Sequence, residues 1–139
     1  MHIEEKIAMS EENLLIYAAS STCADLRYLT GFNAEDPFVW FSVDGQGYML
    51  TYPMEIGRAR LQCHDGVHVV SMNEVEQLFP QGHGECGTLS EKLIYISRHF
   101  CIDCWSVPAD FPLQLALKLQ DAGLQLRIRQ PFCPEREMK

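Results

Sequence analysis

The sequence predicts an α/β protein: a three-layer α/β/α sandwich around a mixed, largely parallel sheet of about six strands. Three observations predict it. Short β-branched and aromatic runs alternate with helical stretches in the order β-α-β-β-α-β-α-α-β-α-β. Strands separated by helices call for right-handed crossovers, which place helices on both faces of a sheet. A chain of 139 residues that is 47% apolar and 22% charged suits one domain with one core.

Leu14-Leu15-Ile16-Tyr17-Ala18-Ala19 is a continuous apolar run, the pattern of a strand buried on both faces. Ser20-Ser21-Thr22 offers oxygens that can cap a helix over Ala24 to Thr30, and Gly31 is placed to end it in the left-handed conformation. Phe38 to Val43 reads as a second strand, Asp44-Gly45-Gln46-Gly47 as a turn, and Tyr48 to Tyr52 as the returning strand of a hairpin. Pro53 fits the first turn of a helix reaching about Leu61. Asp65-Gly66 turns the chain into a strand at Val67 to Val70. Ser71 and Glu74 have capping-box spacing before a short helix carrying Val75, Leu78 and Phe79. Residues 80–87 form a loop, and Thr88 with Glu91 repeats the box. Leu89, Leu93, Ile96 and Phe100 then make one helical stripe. Ile102 to Val107 is a strand, Asp110 is placed to cap a helix with Pro112 in its first turn, and Gly123 ends that helix. Leu124 to Arg129 alternates apolar with polar, as expected near a sheet edge.

Charge narrows the function classes. Eleven basic against nineteen acidic residues give −8, which argues against a nucleic-acid or anionic-membrane surface. The acidity is concentrated early: residues 1–86 hold 4 basic and 13 acidic side chains, while 87–139 hold 7 and 6. No 20-residue apolar window predicts a membrane span. The start, Met1-His2-Ile3-Glu4-Glu5-Lys6, lacks the basic head and apolar run of an export signal. The six cysteines are therefore expected to be reduced thiols of a cytoplasmic protein.

Several motifs point to chemistry. Gly82-x-Gly84-x-x-Gly87 has the dinucleotide spacing, but that function needs a strand at the first glycine, and here a helix ends in Phe79-Pro80. It reads as a connector. His83-x-Glu85 with Cys101-x-x-Cys104 resembles the zinc-dependent nucleoside deaminases, in which His and two Cys hold the metal and Glu moves the proton. That pattern wants Pro before the first Cys and the pair at a helix start. Phe100 stands before Cys101, and residues 102–107 read as strand. As a redox pair, the same cysteines would follow a helix C-terminus, where the dipole disfavours thiolate, and buried, inert thiols are the simpler expectation. His64 and His68 stand four apart, but the turn at Gly66 spoils a helical ligand pair. No GxSxG, HExxH or GxxxxGK[ST] occurs.

Asp25-Leu26-Arg27-Tyr28-Leu29-Thr30-Gly31-Phe32 resembles the signature Asn-Ile-Arg-Tyr-Leu-Thr-Gly-Phe of the creatinase/prolidase/aminopeptidase P family, in its N-terminal domain. Asp25 stands where the family has Asn. The strand before it, the hairpin after it, Tyr52-Pro53-Met54-Glu55, Val107-Pro108-Ala109-Asp110-Phe111-Pro112 and the closing Pro131 to Lys139 fall in the family's order. The resemblance implies a ribonuclease-H-like arrangement over residues 1–139 and a catalytic "pita-bread" domain that this chain does not include. That domain would hold two divalent metal ions, which activate water for attack on an Xaa-Pro bond. This chain would then hold no catalytic residue, cofactor or metal of its own. It would serve homodimer formation and gate the neighbouring subunit's active site.

The residues expected to reach that cleft are Arg27, Phe32, Asn33 and Asp36, with Arg27 able to meet a substrate carboxylate. Tyr28 and Leu29 are expected in the core. The alternatives are a small deaminase using His83, Glu85, Cys101 and Cys104, or a free-standing binding module of the same fold.

Overall fold

The computed structural model describes residues 12–134. Among them are strands β1 (Leu15–Ala18), β2 (Phe38–Val43), β3 (Gln46–Thr51), β4 (Val67–Ser71), β5 (Cys104–Val107) and β6 (Gln125–Ile128). Helices α1 (Ala24–Thr30), α2 (Ile56–Gln62), α3 (Val75–Leu78), α4 (Leu89–His99) and α5 (Leu113–Asp121) lie between them.

Four strands form a mixed sheet in the order β1-β2-β3-β4, and β5 pairs with β6 in a small parallel sheet. Only β2 runs against its neighbours; β3 with β4 and β5 with β6 are parallel. A parallel bridge between Leu14 and Ser106, with the Ser106 N–H on the Asn13 carbonyl at 2.8 Å, brings β5 beside the entrance to β1. The hairpin is tight. Val43 pairs with Gln46 across Asp44 and Gly45, both at positive φ, the primed geometry that matches strand twist.

Side-chain alternation builds two half-cores. Leu15, Val39, Phe41, Leu50 and Val70 face Val75 of α3, Leu93 and Ile96 of α4, and Leu115 and Leu119 of α5. Ile16, Phe38, Trp40 and Met49 face Leu26 of α1 and Ala59 of α2. All six residues of β2 are buried because the strand is covered on both sides.

Both capping boxes form. Ser71 and Glu74 exchange bonds ahead of a 3₁₀ turn, Met72–Glu74, and Thr88 with Glu91 starts α4. Other boundaries differ from expectation. Ser20 does not cap α1: its hydroxyl accepts the Ala34 N–H at 2.7 Å, fourteen residues away, and Cys23 takes the N-cap position without a side-chain bond. Pro53–Glu55 is a 3₁₀ turn, and α2 proper begins at Ile56. Asp110 does not cap α5, whose N-cap is Pro112. β5 starts at Cys104, because Cys101 turns at φ 58 and the Ile102 N–H folds back onto the Ser97 carbonyl. No helix among the described residues is long and apolar enough to cross a membrane.

Candidate functional site

The segment from Arg27 to Asp36 is built around the end of α1. A helix leaves its last carbonyls without intrahelical partners, and here nearly every one is met. The Thr30 hydroxyl donates to Leu26 O at 2.9 Å, and the Gly31 N–H donates to Arg27 O at 2.8 Å. From α2's far end, His64 donates its ring Nε2–H to Tyr28 O at 3.0 Å and its backbone N–H to Thr30 O at 2.8 Å. Gly31 sits at φ +75, and a Cβ there would come within 2.8 Å of the His64 ring. Glycine is thus required twice, by backbone conformation and by the imidazole lying over it.

The loop that follows is pinned from both sides. Phe32 is fully buried, edge-on to Phe38 at 5.5 Å. The Arg58 guanidinium lies 4.7 Å over its ring and donates to Asn33 O at 3.0 Å. Glu55 holds that guanidinium through Nε at 3.1 Å and Nη2 at 2.7 Å. Opposite, the Ala34 N–H meets Ser20 Oγ, and Ser21 donates to Ala34 O at 3.0 Å.

Arg27, Asn33 and Asp36 therefore sit exposed on a stiff rim, whereas Phe32 is an anchor within this chain and presents nothing outward. Tyr28, expected in the core, is 41% exposed; Leu29 packs partly against the core as expected. A shallow cleft at this end is lined by Ala24, Arg27, Tyr28, Leu29 and His64. Sequence reasoning missed Arg58 and His64. Both act across 25 to 36 positions of chain, and no local spacing signals such contacts.

The other motifs do not assemble into sites. His83 and Glu85 are exposed on the glycine-rich loop, which Arg98 closes by donating to His83 O at 2.8 Å. At the start of α4, where a pyrophosphate would sit, Glu91 Oε1 already accepts the N–H groups of Gly87 and Thr88 at 2.9 Å each. Those bonds hold the Glu91 carboxyl below its ordinary pKa. His68 is bound to Gln46 and stacked on Tyr48, and does not share a site with His64.

Cys101 is exposed rather than buried, Cys104 is half-buried, and no disulfide joins any of the six cysteines. Burial pushes the Cys63 and Cys86 thiols above their ordinary pKa, away from the reactive thiolate. Among the described residues, no three His, Cys, Asp or Glu side chains converge to hold a metal ion. The divalent ions implied by the resemblance find no donor set among the described residues.

Comparison with solved structures agrees with this architecture. An X-Pro aminopeptidase from Thermotoga maritima superposes with a TM-score of 0.69 at 13% identity, over 99% of this chain and 36% of that one. An aminopeptidase P from Streptococcus thermophilus gives 0.68 at 16% identity, over 97% of this chain and 92% of that one. The prolidase from Pyrococcus horikoshii gives 0.62 at 11% identity, over 96% and 33%. The chain spans about a third of the length of the prolidases it matches. No curated protein matches it in sequence. The family model described as the creatinase/prolidase N-terminal domain matches residues 7–126, and the chain belongs to that family.

Proposed function

We propose that this domain is the non-catalytic N-terminal part of a metal-dependent Xaa-Pro dipeptidase or aminopeptidase of the cytoplasm. There it contributes to homodimer formation and limits access to the neighbouring subunit's active site. The observation that carries the reading is the rim of exposed Arg27, Asn33 and Asp36, on a backbone that Arg58 fixes at Asn33 O and His64 at Tyr28 O. A polar rim on a fixed backbone suits exclusion and orientation, because the bonds at Tyr28 O and Asn33 O set where its side chains start. The exposed Arg27 guanidinium offers a bidentate contact to a peptide carboxylate. An Xaa-Pro bond is a tertiary amide without N–H, so no contact to that N–H can contribute to its recognition.

The test uses the protein with its catalytic domain present. Replacing Arg27, Asn33 and Asp36 together by Ala should raise turnover of longer Xaa-Pro peptides relative to dipeptides, on the order of tenfold in the kcat/KM ratio. An unchanged ratio would overturn the gating role. The 139-residue chain alone should cleave no Xaa-Pro dipeptide above a metal-only blank, and turnover there would overturn the non-catalytic assignment.

A further inference from the structure

β4 is the last strand of its sheet, and among the described residues no strand pairs with its outer side. The tight hairpin fixes which backbone groups face outward. Val43 and Gln46 bond across the turn, so Gln46, Tyr48 and Leu50 bond to β2, while Gly47, Met49 and Thr51 turn toward β4. The parallel register with β3 then directs His68 and Val70 inward, and Val67, Val69 and Ser71 outward. Two of the outward N–H groups are already used: Val67 donates to His64 O at 3.2 Å and Ser71 to Glu74 Oε1 at 3.1 Å. Among the described residues of this edge, Val69 alone is left presenting both an N–H and a C=O.

Beside Val69 lies a groove of about 460 Å³. Leu78, Phe79 and Phe100 give it an apolar floor, and Arg60 and Glu74 stand on its walls. Among the described residues no ion pair joins those two charges, and Arg60 makes no hydrogen bond. Glu74 spends one oxygen on the Ser71 N–H and keeps the other. An unpaired cation and anion, a free donor–acceptor pair and an aromatic floor in one groove match a short zwitterionic backbone with an apolar side chain.

We propose that this groove binds a di- or tripeptide with free ends. The peptide lies extended against Val69, with its carboxylate on Arg60, its ammonium on Glu74 and an apolar side chain over Phe79 and Phe100. The edge itself sets the length, because Val67 and Ser71 have no N–H to give a longer strand. The same limit disfavours a second copy of this chain, since self-pairing about Val69 would form only the two bonds between the facing valines.

The test is a titration of the isotope-labelled full chain with the tripeptide Ala-Leu-Ala, and with its acetylated, amidated form, followed by amide NMR. Saturable shifts are expected at Val69, Val70 and Phe79, with a Kd on the order of 1 mM or tighter. Blocking the termini, or introducing Arg60→Gln, should each weaken binding about tenfold while amides far from the groove stay unmoved. The proposal is overturned if no saturable shift occurs at Val69 up to ~10 mM peptide. It is equally overturned if the blocked peptide and Arg60→Gln bind as the parent pair does.

Discussion

Gly31 shows how one residue can be fixed by two unrelated demands. Its φ of +75 alone costs a side chain roughly 1–2 kcal/mol. The His64 ring adds a steric demand, at 2.8 Å from where a Cβ would sit. The two demands separate in a double-mutant cycle. Gly31→Ala should destabilise the wild-type background more than the His64→Ala background, because only the backbone strain survives once the ring is gone. Urea unfolding of the four proteins measures this, and equal costs in both backgrounds would refute the steric role of His64. The stop at Gly31 was legible in the sequence, since glycine after a helical run is a local signal. His64 was not: it lies on another element, and its two bonds to α1 exist only once α2 is docked. Phe32 and Tyr28 fell the wrong way round for the same reason. The Arg58 guanidinium roofs Phe32 and takes it out of the rim, while the described residues leave Tyr28 41% exposed.

At the scale of the element, α4 depends on its first turn. It carries Leu93 and Ile96 into the core, and its N-terminal N–H groups are met by Thr88 Oγ1 and by the Glu91 carboxylate. Thr88→Ala should cost about 1 kcal/mol. Glu91 makes the contribution pH-dependent. Its pKa is lowered in the folded state, first by the Thr88 N–H and next by that of Gly87, so protonation opposes folding. The stabilisation is complete above the unfolded carboxyl pKa and is lost as pH falls through the depressed folded value. Glu91→Gln should therefore lower the urea midpoint at neutral pH, and the gap from wild type should close in acid. A gap that persists or widens in acid would contradict the assignment. Both boxes were readable because all their partners lie within four residues. The Ser20 hydroxyl and Asp110 failed as caps although their residue types were right. Ser20 is claimed by Ala34 from across a loop, and Pro112 takes the cap position of α5.

For the whole molecule, the decisive feature is that the four-stranded sheet separates two half-cores. The helical layers were legible from the alternation of strand and helix, but the position of β5 was not. Beside β1 it joins elements more than 85 residues apart through the Leu14–Ser106 bridge, a pairing that no local pattern encodes. β2 binds the halves together, because Phe38 and Trp40 enter one of them and Val39 and Phe41 the other. Neither half can lose its packing while β2 stays in place, so unfolding should be a single transition. The two tryptophans report on opposite sides: Trp105 is buried in the first half-core with its indole N–H on Ser97 Oγ at 2.8 Å, and Trp40 is buried in the second. In Trp40→Phe the remaining fluorescence follows the first half, and in Trp105→Phe it follows the second. Each variant's fluorescence midpoint in urea should coincide with its own far-UV circular dichroism midpoint. A variant whose fluorescence changes at lower urea than its helix signal would show the halves melting separately, and β2 would then not be the element that couples them.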